Sequence, residues 1–386
     1  MKLHELYLNE LTDQVIPFWE KYSIDNENGG FFTCIDRNNS VYDTDKFIWL
    51  QARQVWMFST LYHKLSPREE WLSIAIHGAN FLQKHGHNGS FDWYFSLNKK
   101  GQPLISPYNI FSYTFCCMAF GKLYAITKNQ EYKTIALKTL QKINERSLNP
   151  KSKWNKSISG TRDLKNFALP MILCNLYSEL GELVDQKERK KIAEVCVNEI
   201  FKDFYDEKKK IIRENVYIDG TYSNSFDGRL INPGHGLEAM WFIMDLGVEF
   251  DNKLWIDKAV NIALNIIDHG WDRLHNGIFY FLDSNGSPPQ QLEWNQKLWW
   301  VHLEAMICFL KAYKLTGSKT SLDWFKKIHE YTWNHFRDHE NGGEWYGYLE
   351  REGKVLLELK GGKWKGCFHV PRALFILHQT AKSLGI

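Results

Sequence analysis

The sequence predicts an all-α fold, an (α/α)6 barrel of six inner and six outer helices with short β-hairpins on the active-site face. Three observations carry this. Twelve stretches repeat apolar residues at i, i+3 and i+4, the spacing of helices that bury one face. Their connections alternate short and long, which gathers the long ones at one end. Every second stretch is apolar on more than one side, as a helix enclosed by others must be.

Taken in chain order, the helices are expected at 4–21, 46–64, 68–85, 109–127, 130–146, 164–181, 187–204, 235–248, 253–270, 295–315, 319–337 and 368–384. Even members such as FIWLQARQVWMFSTLY, YNIFSYTFCCMAFGKLY and KLWWVHLEAMICFLKAY are the inner ones. Odd members such as DKAVNIALNIIDHG carry charge along one side and are the outer ones. Short turns follow the inner helices, as in KLSPREE (64–70) and KLTGSKT (314–320). Long loops precede them and share one design of Asn or Gly, Gly, aromatics and a polar turn. The copies are NGGFFTCIDRNNS at Gly30, NGSFDWYFSLNKKGQP at Gly89, NGIFYFLDSNGSP at Gly277 and NGGEWYGYLEREGK at Gly343, with weaker ones near Trp154 and Ile211. Alternating aromatics closed by Asn, Asp or Gly read as β-hairpins. Their recurrence every 60–66 residues or so is the period of two helices plus a loop. An open α-solenoid is the alternative, but its terminal helices should be polar caps. The last helix, CFHVPRALFILHQTAKSL, is as apolar as the middle ones, so the ring is expected to close and residues 1–386 to form one domain.

Composition narrows the function. A net charge of +3 gives no footprint for nucleic acid. No stretch reaches 18 uncharged apolar residues, so no membrane partner is expected, and MKLHELYLNEL lacks the apolar core of a signal peptide. Seven scattered Cys without a CxxC imply reduced thiols and a cytoplasmic setting. Sixteen Trp and an aromatic content of 15% suit either a packed helical core or pockets that stack sugar rings.

Candidate site residues cluster at predicted inner-helix starts. His235 in INPGHGLEAMWF and His369 in GCFHVPRAL each follow a glycine and open an inner helix. Imidazole titrates near neutrality, so one ring can take a proton while the other gives one. A helix N-terminus is partly positive and is expected to hold both rings neutral. Arg53, Glu238, Lys297, Trp299, Glu304, Lys365 and Arg372 fall on or just inside the same rim, and Arg53 and Glu304 are a candidate salt bridge. His302 sits roughly 200° round the helix from Glu304 and is expected to face away. No GxGxxG follows a strand, and HGLE is too thin for a metal cluster, so neither NAD nor metal is implied. Glu238, Glu293, Glu304 and Asp227 leave an inverting glycosidase open as a different chemistry.

Five long strings, VYDTDKFIWLQARQVW (41–56), PYNIFS (107–112), GRLINPGHGLEAMWFIMD (228–245), PPQQLEWNQKLWWVHLE (288–304) and LKGGKWKGCFHVPRA (359–373), resemble the N-acylglucosamine 2-epimerase family. The resemblance implies an (α/α)6 barrel that interconverts N-acetylglucosamine and N-acetylmannosamine. It implies His235 and His369 as the catalytic pair, with Arg53 and Glu304 essential; the remaining rim residues Glu238, Lys297, Trp299, Lys365 and Arg372, with Asn166, are expected about the substrate. It also implies a homodimer, no cofactor for the chemistry, and ATP as a possible activator through a basic loop. That loop corresponds to 149–162, where Ser152 stands at an expected glycine. Related cellobiose 2-epimerases and mannose isomerases place a further His in the sixth helix. Pro170 stands there in LKNFALPM, which favours the acylamino sugar over an aldose 2-epimerase or aldose–ketose isomerase on unmodified sugars.

Overall fold

The computed structural model describes residues 2–147, 149–151, 153, 155–158 and 160–386. The first predicted helix is one rod of three pieces, α1 (Leu3–Asn9), a π-helical stretch (Glu10–Val15) and α2 (Ile16–Tyr22). Then come α3 (Ile48–Lys64), α4 (Glu69–His85), α5 (Ile110–Thr127), α6 (Gln130–Arg146), α7 (Ala168–Glu179) and α8 (Gln186–Glu199), which runs on into a second π-helical stretch. A single turn, α9 (Phe226–Arg229), precedes α10 (Pro233–Glu249), α11 (Lys253–Gly270), α12 (Trp299–Thr316), α13 (Lys319–His335) and α14 (His369–Leu384).

The ring is an (α/α)6 barrel. Helices α3, α5, α7, α10, α12 and α14 follow one another round the inside. Each packs on the outer helix that follows it in sequence, and α14 packs on α1, so the chain's last inner helix finds its partner at the N-terminus. Polar ties hold that seam. The His378 ring meets His4 O at 2.8 Å, Arg337 pairs with Glu10 at 2.7 Å, and the Trp345 indole donates to Glu10 at 2.8 Å. Helix α5 is long and apolar enough to cross a membrane, at a mean hydropathy of 1.3, yet 72% of it is buried inside the ring. A core helix packed against α3, α4, α6 and α7 has the same composition as a lipid-facing one.

The long loops are less regular than local hairpins. Among the described strands two pairings are local, β2 (Ser96–Leu97) with β3 (Pro103–Ile105) and β5 (Tyr205–Asp206) with β6 (Ile211–Ile212), and single bridges close the loops at Ile35–Val41 and Leu349–Val355. Elsewhere the strand just before an inner helix pairs with the next loop along the ring. Thus β1 (Lys46–Phe47) pairs with β2, β4 (Leu164–Asn166) with β7 (Asn215–Tyr217), β8 (Leu230–Ile231) with β9 (Leu282–Asp283), and β10 (Lys297–Leu298) with β11 (Tyr348–Leu349). The Asp36–Leu359 bridge continues the pattern across the seam. The predicted turns are real, but strands this short gain their partners from neighbouring repeats. Trp154, which marks the weaker copy, and Ser152 lie outside the described residues.

A buried ion pair repeats three times in these loops. Asp25, Asp272 and Asp338 each accept backbone N–H groups two and three residues on. Each also pairs with a buried lysine: Lys46 at 2.7 Å, Lys297 at 3.0 Å and Lys360 at 2.8 Å. The glycines that follow in the sequence, Gly30, Gly277 and Gly343, hold φ of +70°, +74° and +73°, which a Cβ would strain. Lys297, expected about the substrate, is therefore a loop lock: Asp272 takes its charge, and its side chain is fully buried.

Candidate active site

His235 is the third residue of α10, where Pro233 starts the helix and the Asn232 side chain accepts the His235 N–H at 3.2 Å. His369 is the first residue of α14. Both rings flank one indole. Trp300 lies 5.2 Å from the His235 ring and 5.9 Å from the His369 ring, tilted by 38° and 37°. The two imidazoles, 134 residues apart in sequence, therefore share one wall of one site.

Each imidazole is held through Nδ1 by a carboxylate. His369 Nδ1 lies 2.8 Å from Glu304 Oε1. Glu304 in turn accepts from the Trp241 indole at 2.9 Å and from Arg372 at 2.5 Å, and Arg372 also reaches Glu238 at 2.9 Å. An ionised Glu304 makes Nδ1 the protonated nitrogen and leaves Nε2 with its lone pair. Burial and the cations Arg53, Arg372 and Lys365 hold the His369 imidazole well below its ordinary range, against the pull of Glu238. The direction is that of a neutral ring, and burial with three cations is its cause.

His235 is the reverse. Its Nδ1 faces both oxygens of Glu214, at 3.0 and 3.1 Å. Although burial pushes the other way, Glu214 and then Glu238 raise its pKa. The ring keeps 27% of its side-chain surface open, so water moderates the burial penalty. The expectation that a helix start keeps His235 neutral fails because a full carboxylate charge outweighs a half-charge dipole.

Arg53 does not pair with Glu304. Among the described residues it has no ion pair; its guanidinium is caged by Trp49, Phe115 and Phe368 at 4.5, 4.0 and 4.4 Å, with Nε unpartnered. Burial lowers its pKa to about 9, with Glu238 the first of the groups that oppose the shift. Glu238, Glu304 and His369 bring ligand-type atoms within 4.8 Å of one another, and the positive charge such a set calls for comes from Arg372.

The other expected residues hold the frame. Lys365 is buried against Glu344 at 2.8 Å and Lys360 O at 2.6 Å, so its ammonium is spent inside the protein. Trp299 is buried behind His369, edge-on to Tyr348 at 5.2 Å; its neighbour Trp300 is the one in contact with both imidazoles. Asn166 spends its amide on the Ala168 N–H, Glu214 O and Asn215 Oδ1. It anchors the loop that carries Glu214, with both side-chain N–H groups spent inside the protein. His302 faces away as predicted, with Nδ1 at 2.7 Å from Leu298 O and Nε2 accepting the Ile278 N–H at 2.9 Å. Glu293 and Asp227 are exposed, while Glu238 and Glu304 sit on the same guanidinium. The two opposed carboxylates of an inverting glycosidase are not formed by these four.

Glu214 and Trp300 escaped the sequence reading. Glu214 lies in the Lys-rich loop KKKIIRENVYIDG, where a charged residue reads as solvated; its signal was the aliphatic pair Ile211 and Ile212 beside it. Its backbone clamps two inner-helix starts, taking a bond from Phe167 N at 2.9 Å and giving one to Leu230 O at 3.0 Å. A separate cavity of about 470 Å³ opens where the inner helices end, lined by Trp56, Glu179, Trp241, Asp245 and Lys311 among others. Arg372 forms part of its wall, and no histidine lines it, so its size does not make it the place of proton transfer.

Fold and site together define an (α/α)6-barrel protein with two carboxylate-held histidines set against one indole. The sequence profile of N-acylglucosamine 2-epimerase (GlcNAc 2-epimerase) matches residues 30–373, and the chain belongs to that family. It is 40% identical over 381 residues to N-acylglucosamine 2-epimerase of Mus musculus, covering 96% of this chain and 90% of that protein. The Homo sapiens protein of the same name is 38% identical over 96% of this chain and 88% of its own length. Among solved structures, cellobiose 2-epimerase from Bacillus thermoamylovorans superposes with a TM-score of 0.84 at 24% identity, covering 98% of this chain and 99% of that one.

Proposed function

We propose that this protein interconverts N-acetyl-D-glucosamine and N-acetyl-D-mannosamine by deprotonation and reprotonation at C2, with residues 1–386 acting as one catalytic domain. The observation that carries the reading is the pair of imidazoles on one indole, each held by a carboxylate at Nδ1 and with no hydrogen-bond partner at Nε2 among the described residues. The pyranose opens first, because only the aldehyde makes the C2 proton acidic. One Nε2 removes that proton, leaving an enediol-type anion. The other delivers a proton to the opposite face, and the configuration inverts. Arg53, which has no ion pair among the described residues, meets the negative charge that develops on the former carbonyl oxygen. Each proton transfer of this kind is worth about 10²–10⁴-fold.

The chain's own side chains supply this chemistry without a cofactor. The absence of a histidine at Pro170 supports the acylamino sugar over unmodified aldoses. A cytoplasmic location belongs to the same proposal and rests on the scattered cysteines, all free among the described residues; a homodimer and an activating role for ATP rest on the family resemblance. The test is incubation with N-acetylmannosamine in D₂O, followed by NMR at C2. Conversion with deuterium entering C2 is expected. Conversion with full retention of the C2 proton, activity confined to glycosidic bonds, or no reaction on either substrate class overturns the proposal.

A further inference from the structure

The two histidines occupy matching places but unlike electrostatic settings. The difference lies in what else their carboxylates touch. Glu304 is shared among three donors, and the Arg372 guanidinium sits on the same oxygen that His369 uses. Its charge is already answered when the imidazole meets it. Glu214 is different. It is 5% exposed, its two oxygens face His235 Nδ1, and no Lys or Arg pairs with it among the described residues. A buried carboxylate left with one partner holds that partner charged. The remaining neighbours point the same way. His235 also feels Glu238, while its ring is covered on one side by the neutral Trp300 indole. His369 is ringed by Arg53, Arg372 and Lys365, with Glu238 opposing them.

We propose that Glu214 is a positioning residue that keeps His235 as the imidazolium, so that the resting site is polarised: His235 gives a proton and His369 takes one. This rests on the two-histidine reading above. The proton count closes as follows. The C2–H bond breaks and its proton goes to His369 Nε2, while the electron pair enters the enediolate. The Nε2 proton of His235 then forms the new C2–H bond on the other face. The site is left with its single mobile proton on the opposite histidine. Exchange with water returns that proton to the Glu214 side, and turnover from the same epimer resumes. Both forms carry the same total charge, so the favoured one is set by Glu214 and not by pH.

The experiment is the pH profile of kcat/KM for Glu214→Gln and Glu214→Asp in the full chain. The active form holds one proton on the pair, so the acid limb reports proton uptake at His369 and the alkaline limb proton loss from His235. Glu214→Gln is expected to move the alkaline limb to lower pH by about one unit or more, the size of an adjacent opposite charge, and to leave the acid limb in place. Glu214→Asp is expected to restore most of that limb. An unmoved alkaline limb, or a uniform fall at every pH, overturns the proposal in favour of a merely structural Glu214. A second measurement needs no Glu214 variant. In ¹⁵N-histidine NMR of the unsubstituted protein, the signal lost in His235→Asn is expected to be doubly protonated at pH 7, and a neutral ring there overturns it. The two readings fail separately: an active His235→Asn ends the two-histidine mechanism, whereas an inactive one with an unshifted Glu214→Gln profile ends only this inference.

Discussion

The start of α10 and the start of α14 make an instructive pair. Each presents a histidine after a glycine-containing loop, and each histidine rests on a glutamate through Nδ1. At α14 the glutamate belongs to a buried network that includes Arg372, Glu238 and Trp241. At α10 it comes from a neighbouring loop and has no second cation among the described residues. The same dyad thus yields a ring held neutral on one side and a ring inclined to charge on the other. The lesson is that a carboxylate's other partners, more than its distance, decide the protonation state of the histidine it touches.

The sharpest way to break the comparison is to remove each ring in turn. His235→Asn and His369→Asn are each expected to cut kcat by at least about 10³-fold with an unchanged circular dichroism spectrum, since neither transfer has a substitute. Near-normal turnover in either variant removes that histidine from the mechanism. Next comes Arg372→Met, which leaves Glu238 and Glu304 buried without their cation. A loss of about 3–5 kcal/mol in urea unfolding is expected. An equal loss from Arg53→Lys would erase the distinction between a paired and an unpaired arginine. Arg53→Lys is expected instead to lower kcat by about 10²-fold, as for a displaced oxyanion donor, with a nearly unchanged Tm.

The smallest effect is the most diagnostic, because the two niches predict opposite signs. His369 is held below its ordinary range, so the unfolded chain takes up the proton first as pH falls below about 6.5, and stability is lost toward acid. His235 is raised, so its contribution is complete below about 6.5 and fades as pH rises through its folded value. Against the unsubstituted protein, His369→Asn should gain relative stability on acidification. His235→Asn should be most destabilised at acid pH and recover toward alkaline. Neither trend exceeds about 1.4 kcal/mol per pH unit, the limit for one proton. Chemical denaturation at pH 5, 7 and 9 checks both; parallel trends would show that the two settings are alike.

The sequence by itself determined the twelve helices, their inner and outer assignment and the ends at which they start. Those rest on periodicity and on apolar faces, which are properties of neighbours along the chain. His235, His369, Arg53 and Glu304 were legible because each is a polar residue on an otherwise apolar inner helix. Only the tertiary structure decided how they are used. Lys297 and Lys365 read like site residues, yet Asp272 and Glu344 from distant loops consume their charges. Arg53 and Glu304 read like a pair, yet Arg372 claims the carboxylate and three aromatic rings cage the arginine. Glu214 read like a surface charge until β7 folded against β4 and brought it beneath His235. Burial and partner choice act through space over a few ångströms, and no spacing along the chain encodes which distant charge arrives there.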